Sequence, residues 1–278
     1  MLKKRQSYSA ATMSLATLFP DSDFRHQLSV KRGSVADFFA PTAAHESILA
    51  ERKRWLADSP ESYFGALDST GEIIDEAAAL ITPTAVWSAS GDPIQKMIEL
   101  GGAAEPDIVL LQKSADGTFR VVAGAVCFPS SWSFPEKMGM PLHDVHSVVP
   151  DLNAAIGPPI ARFLDKMQPG IAWERSNWGL SASPERNQHP SRAIERLREP
   201  LSPEQVWLRA EEQILVVLPE TKALLFAIRI VAPSLQELRE ENPQLAAGLR
   251  RALETMSEEM ARYKHFAGVR PQLIDLLA

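Results

Sequence analysis

The spacing of apolar residues predicts three helices in the first third of the chain. Residues 42–58 carry an apolar stripe at helical spacing, and Pro60 follows it. A second helix is predicted at residues 71–81, before Pro83, since proline cannot continue a helix. A third starts at Asp92-Pro93, because aspartate caps helix N-termini and proline suits the first helical position.

The pattern changes to strands after residue 106. Residues 107–113 and 118–128 are apolar runs separated by a Ser-Ala-Asp-Gly turn, which predicts a β-hairpin. Three further runs, at residues 171–180, 206–218 and 223–231, also read as strands, and a Pro-Glu-Thr-Lys turn joins the last two.

The remaining segments read as helices. Residues 150–167 look helical, but Pro158 and Pro159 lie inside, so we expect a break or a late start there. Residues 233–264 return to helix, in two pieces divided near Asn242-Pro243. Helices, then mostly antiparallel strands with one helical insertion, then helices indicate an α+β fold. The chain has neither a GxGxxG motif nor a P-loop.

Composition narrows the classes of function. With 278 residues, 45% of them apolar, the chain can bury a substantial core. A net charge of -6 without a basic stripe argues against nucleic acid as a partner. The single cysteine, Cys127, excludes an intramolecular disulfide and a self-contained iron–sulfur cluster. No apolar run is long enough to cross a membrane.

The composition at the start of the chain bears on the cellular location of the protein. Lys3, Lys4 and Arg5 lie in a segment rich in Ser and Thr with no acid before Asp21, a weak organelle-presequence composition. A frayed basic terminus is the simpler interpretation. We therefore expect a cytoplasmic protein, with an organelle as the alternative.

Two predicted strands carry polar residues in a regular alternation. Trp173, Arg175 and Asn177 share one face of their strand, where arginine and asparagine donors can hold an anionic group. A structural ion pair is the alternative.

The next strand has polar residues on both faces. Arg209, Glu211 and Gln213 share one face, whereas Glu212 lies on the apolar one, where a buried acid needs a partner or takes a raised pKa. Arg229 lies across the predicted hairpin. We therefore expect a structural Glu212–Arg229 ion pair rather than a catalytic acid.

Two histidines, His143 and His146, lie three residues apart. They could share a metal from one helical face, but nearby prolines and β-branched residues argue against a regular helix, and no HExxH motif or third ligand is present. A single neutral imidazole can still bind haem iron. Nucleophilic catalysis has little support, because there is no GxSxG motif and Cys127 lies in an apolar run.

Seven short motifs follow one another along the middle of the chain. They are FPSSW at 128–132, EKMG at 136–139, VHSVVP at 145–150, WERSNW at 173–178, LRAEEQIL at 208–215, FAIR at 226–229 and YK at 263–264. Their order resembles the haem-dependent oxidative N-demethylase family over roughly residues 45–265. The chain departs from the family pattern at Glu212, where arginine is common, and at Asp151, which replaces a glycine-like turn residue.

The resemblance implies a PAS-like antiparallel sheet that encloses haem b. We expect an N-terminal extension over residues 1–40, poorly ordered at its start, and one haem-binding domain over residues 41–278. The resemblance makes His146 the expected axial ligand of the iron and His143 the runner-up. A thiolate ligand from Cys127 is less favoured.

Further site residues follow from the same resemblance. Arg175 and Asn177, with Trp173 beside them, are candidates for contact with the haem propionates or for the pocket wall. Arg229 and Arg209 are weaker candidates.

The implied activity is oxidative demethylation of a small secondary amine, such as dimethylamine, with release of formaldehyde. It uses O2 and NADPH-derived electrons from a partner reductase that carries FMN and a 2Fe–2S cluster, because one cysteine cannot hold that cluster. The protonated amine needs a carboxylate or an aromatic face to hold it. Glu174, Glu211 and Asp144 are equal candidates for that carboxylate. A PAS-like haem sensor without turnover is the alternative, and a haemless interaction protein is a third possibility.

Overall fold

The computed structural model describes residues 18–20, 22–82 and 91–278. Within these ranges one antiparallel sheet has the strand order β1-β5-β6-β7-β3-β4-β2. Strands β1 to β7 are Lys31–Arg32, Phe64–Ala66, Asp107–Lys113, Phe119–Ala125, Ala172–Ser181, Trp207–Val217 and Leu224–Val231. The predicted α+β class is confirmed, whereas its PAS-like character stays a prediction.

The predicted helices flank the strands in the predicted chain order, and short helices that the sequence pattern does not predict lie among them. Helices α1 to α5 are Val35–Phe39, His45–Asp58, Pro60–Tyr63, Gly71–Ile81 and Pro93–Ala103. Helices α6 to α11 are Leu142–His146, Leu152–Lys166, Leu235–Glu241, Pro243–Thr255, Glu258–Tyr263 and Arg270–Leu276. The carboxylate of Asp92 caps α5 by accepting a hydrogen bond from the backbone N–H of Gln95 at 2.9 Å, as the Asp-Pro signal predicts.

The expected break at Pro158 and Pro159 is wrong. Helix α7 runs unbroken through both prolines. Gly157 precedes Pro158, and its lack of a Cβ relieves the clash that keeps most residues before proline out of the helical conformation. Three residues on one side of α7 are buried, and this packing outweighs the low helix propensity of the two prolines.

Two other helical expectations need correction. Residues 142–146 form α6, a short helix where we expected no regular one. The C-terminal region divides at Asn242 as predicted, but it divides again at Ser257, whose hydroxyl caps α10 by accepting from the backbone N–H of Met260.

One face of the sheet is covered by helices from both ends of the chain. Side chains alternate between faces along a strand, and the even-numbered residues of β6 point to this side. Ile214 and Val216 pack with α4 and α5, and Leu208 and Ala210 pack with α8 and α9. The odd-numbered residues of β6 point to the opposite side, toward α7 and several loops.

Residues before α2 also pack on the sheet. Strand β1 pairs with β5, and Phe38 of α1 is buried in the core. Lys3, Lys4 and Arg5, on which the presequence interpretation rests, lie outside the described residues. In the described ranges, no helix combines the length and apolar character needed to span a membrane.

A fully buried ion pair joins α2 to the start of β3. The Arg52 guanidinium lies 2.6 Å from the Asp107 carboxylate, which also accepts hydrogen bonds from the backbone N–H groups of Cys127 and Phe128. Arg52 donates to three backbone carbonyls as well. Both charges are therefore paired within the core.

We expect Arg52→Met to lower the free energy of unfolding by about 3–5 kcal/mol, because it leaves the Asp107 carboxylate buried without its counter-ion. The matched control Arg250→Met, which removes an exposed ion pair with Glu254, should cost about 1 kcal/mol or less. Urea denaturation measures both. If both variants lost a similar amount of unfolding free energy, the buried pair would contribute no more to stability than the exposed one.

Candidate functional site

A cavity of about 1240 Å³ is lined by the odd-numbered residues of β6 and by residues on both faces of β5. Its other walls come from α6, α7, the loops that follow β4 and β5, and residues 22–31. Small-molecule sites usually measure about 300–1,000 Å³. The space is thus large enough for a large organic group.

One part of the cavity is apolar. Its lining includes Val109, Leu111, Ile156, Ile160, Phe163, Leu215, Leu224 and Phe226. Leu215 and Phe226 are cross-strand partners on the inner strands β6 and β7, yet both remain partly exposed. Apolar side chains left open in a concave surface at the middle of a sheet mark a binding surface for an apolar group.

The polar part of the cavity centres on Glu211. Its carboxylate accepts hydrogen bonds from Ser130 Oγ at 2.7 Å, Gln213 Nε2 at 2.8 Å and Asn177 Nδ2 at 3.2 Å. The register of β5 and β6 sets Asn177 opposite Glu211, and Arg175 opposite Gln213. The polar residues predicted on two separate strands therefore form one cluster.

Arg175 is a cation with an open guanidinium. It lines the cavity, donates no hydrogen bond to another described residue, and has no carboxylate within 4.0 Å among them. Burial lowers the pKa of Arg175, and the negative charge of Glu211 opposes that shift. A partly buried cation without a direct partner is suited to an anionic group of a ligand.

Arg209 also lines the cavity, but its donors are committed. It donates to Ser130 Oγ at 2.8 Å and to the backbone carbonyls of Arg186, Phe128 and Glu185 at 2.6, 2.7 and 3.1 Å. Burial lowers the pKa of Arg209 to about 10, against the opposing charge of Glu211. Arg209 therefore ties two cavity loops together, and its guanidinium is not open to a ligand as that of Arg175 is.

His146 lies at the end of α6 and lines the cavity. Burial first, then the charges of Arg175 and His143, lower its pKa to about 4. Its ring makes no hydrogen bond to another described residue. The imidazole is therefore neutral at pH 7 and has the free nitrogen that an iron ligand requires.

His143 is placed differently. Its side chain is 72% exposed and lies 3.3 Å from Asp144, outside the cavity lining. Of the two histidines considered as iron ligands, the structure brings only His146 to the cavity.

The structure does not bring Arg229 to the cavity. Arg229 lies on the helix-covered face, 3.7 Å from Glu212, and donates to the backbone carbonyl of Phe38. The expected Glu212–Arg229 ion pair is confirmed. The departure from the family pattern at Glu212 therefore lies on the face away from the cavity.

Trp173 also lies outside the cavity lining, although it shares a strand face with Arg175. Its ring packs against Phe163 and beneath Arg32. Cys127 is fully buried outside the lining, and burial raises the pKa of its thiol to about 12. A thiolate ligand from Cys127 thus finds no support in this geometry.

Sequence reasoning missed His189, which lines the cavity with 8% of its surface exposed. The backbone N–H of Ser191 donates to its Nδ1 at 3.2 Å, so the neutral ring carries its proton on Nε2. That Nε2 is buried without a partner among the described residues. His189 lies in the loop between β5 and β6, which has no strand or helix periodicity, and no sequence signal pointed to it.

Lys264 of the predicted YK motif borders the same cavity. Its ammonium donates to the backbone carbonyl of Trp178 and lies 4.6 Å from the centroid of the Trp178 ring. Burial lowers the pKa of Lys264 to about 8, and the charge of Glu211 opposes the shift.

The sequence matches a family model described as haem-dependent oxidative N-demethylase, alpha subunit-like, over residues 62–274. The chain belongs to this family. The match spans well over half of the chain and confirms the resemblance seen in the motifs. The name of the N-demethylase family indicates haem-dependent oxidoreductase chemistry, and its description as alpha subunit-like is consistent with a partner.

The cavity residues suit the haem that the N-demethylase family name implies. His146 offers a neutral imidazole for the iron, and Arg175 offers a guanidinium for a propionate. The apolar surface around Leu215 and Phe226 suits a flat macrocycle.

At Asp151, the second departure from the family pattern, the backbone φ is 59°. This is the left-handed turn that glycine adopts most readily and that aspartate tolerates.

We expect His146 in the cofactor-free protein to titrate with a midpoint near pH 4, mainly because it is buried. Arg175→Gln should raise that midpoint part of the way toward the ordinary 6.5 by removing a repulsive charge. Because the unfolded chain takes up this proton at higher pH, the stability linked to His146 should fall as pH drops from about 6.5 to 4. NMR of the imidazole measures the midpoint. Arg162→Gln, an exposed change on α7, is the control, and a midpoint near 6.5 in the parent contradicts the account.

Proposed function

We propose that this chain is the haem-binding, oxygen-activating subunit of an oxidative N-demethylase. Its substrate is a small secondary amine such as dimethylamine, and formaldehyde is released. The observation that supports this best is one large cavity that combines the neutral imidazole of His146, the open guanidinium of Arg175 and an apolar wall. These are the groups that bind the iron, a propionate and the macrocycle.

In this proposal His146 binds the iron of haem b through a ring nitrogen that is unprotonated at pH 7. Arg175 pairs with a propionate, and Asn177 stands beside it on the same strand face. Haem, when bound, supplies the activation of dioxygen and the electron chemistry of demethylation. Apolar residues of α7 and of the inner strands would shield the macrocycle from water.

Glu211 is the carboxylate that we assign to the substrate ammonium. Glu174 is engaged by Lys31 at 3.6 Å and by the backbone N–H of Ser34, and Asp144 is exposed beside His143. Glu211 instead lies in the polar part of the cavity, where three side chains fix its orientation. A carboxylate placed there stabilises a bound cation by charge and hydrogen bonding.

The reaction balances as a methylated secondary amine, O2, NADPH and a proton giving the demethylated amine, formaldehyde, water and NADP⁺. The electrons come from a partner reductase with FMN and a 2Fe–2S cluster. The single, buried Cys127 of this chain cannot hold that cluster. The alpha subunit-like description of the family supports a multi-subunit arrangement.

We expect the purified parent to show a haem Soret band, and His146→Ala to weaken haem binding about tenfold or more, because loss of a direct ligand costs at least as much as loss of its supporting contacts. The matched variant His143→Ala should retain haem, since its ring lies outside the cavity. Absorption titration with haem measures both. Full haem affinity in His146→Ala would refute the ligand assignment.

Formaldehyde release distinguishes the enzyme from a haem sensor. The haem-loaded parent, supplied with NADPH, a flavin and iron–sulfur reductase and dimethylamine, should produce formaldehyde in proportion to the NADPH consumed. Haem binding without formaldehyde would favour a sensor or regulatory module, and a colourless protein would favour an interaction protein.

A further inference from the structure

The side-chain amide of Gln213 has one satisfied end and one unsatisfied end. Its Nε2 donates to Glu211 Oε2 at 2.8 Å, whereas its Oε1 is buried with no donor among the described residues. The reversed amide would set two oxygens against each other, so Glu211 fixes the orientation. Gln213 is 5% exposed and lines the cavity.

A buried carbonyl oxygen without a donor calls for a donor from a ligand. Water could supply one, but Gln213 lines the same cavity as the carboxylate that we assign to the substrate. It lies two residues from Glu211 on the same strand face, so a single small ligand can reach both side chains.

Glu211 retains capacity for one more donor. An ionised carboxylate offers about four acceptor positions. Three are taken, two on Oε2 by Gln213 and Asn177 and one on Oε1 by Ser130. The polar part of the cavity therefore holds two acceptors with unfilled hydrogen-bonding capacity, Glu211 Oε1 and the buried Gln213 Oε1.

The nearby cations leave the Glu211 carboxylate without a direct ion-pair partner. Arg209 directs its donors to Ser130 and to backbone carbonyls, and the Lys264 ammonium donates to a backbone carbonyl. No cation of the described residues lies within 4.0 Å of the Glu211 carboxylate. In the proposed function, Arg175 pairs with a propionate instead.

We propose that Gln213 is a specificity-determining residue that distinguishes amines by the number of N–H groups on their charged nitrogen. This inference rests on the proposed function. A dialkylammonium carries two N–H groups, one for Glu211 Oε1 and one for Gln213 Oε1. A trialkylammonium carries one, which goes to the carboxylate and leaves Gln213 without a donor, and a tetraalkylammonium carries none.

The test is calorimetric titration of the haem-loaded ferric protein with dimethylammonium, trimethylammonium and tetramethylammonium chlorides. The parent should bind dimethylammonium about tenfold or more tightly than trimethylammonium, because one hydrogen bond to a charged donor separates them. Gln213→Leu should weaken dimethylammonium binding roughly ten- to hundredfold and trimethylammonium binding less than about threefold. Gln205→Leu, the same change at an exposed position, should alter neither.

Equal losses for both amines in Gln213→Leu, or no loss for either, would overturn the proposal. If the leucine variant fails to take up haem, Gln213→Met tests the same carbonyl with an unbranched side chain. The affinities of the parent protein for the amines are a second, independent test. Equal affinity for dimethylammonium and trimethylammonium would also overturn the proposal.

The outcomes separate this inference from the proposed function. Haem-loaded protein that releases formaldehyde but shows no dependence on Gln213 refutes the inference alone. Protein without haem that still binds dimethylammonium through Gln213 refutes the haem assignment and leaves the amine site in place.

Discussion

The alternation of side chains along β6 separates a packing face from a ligand face, and the site depends on it. Shifting a strand by one residue would exchange the two faces. The even-numbered residues of β6 bury Glu212 with Arg229 between two apolar clusters. The odd-numbered ones include Glu211 and Gln213, which line the cavity. Polar chemistry and core packing thus coexist on adjacent residues of one strand.

Much of this arrangement could be predicted from local sequence. Strand and helix positions follow from periodicity, and the two faces of each polar strand follow from alternation. The Glu212–Arg229 pair was predictable because a two-strand hairpin fixes its register. The meeting of Asn177 with Glu211 was not, since β5 and β6 are joined by a long loop and their register is set by tertiary packing. His189 lies in that loop, where no periodicity applies.

The positions of His146 and Arg175 reinforce each other. Burial, and after it the guanidinium charge, keeps the imidazole unprotonated and available to iron. The same guanidinium lacks a carboxylate partner and can neutralise a propionate. Arg209 fixes the loops beside them through backbone carbonyls, so the polar part of the cavity keeps its shape.

The most direct measurement is a crystal structure of the protein saturated with haem. The account predicts a macrocycle against Leu215 and Phe226, iron bonded to a ring nitrogen of His146, and a propionate against Arg175. An iron bound to another side chain, or a porphyrin seated outside this cavity with the His146 ring packed against protein, would contradict it.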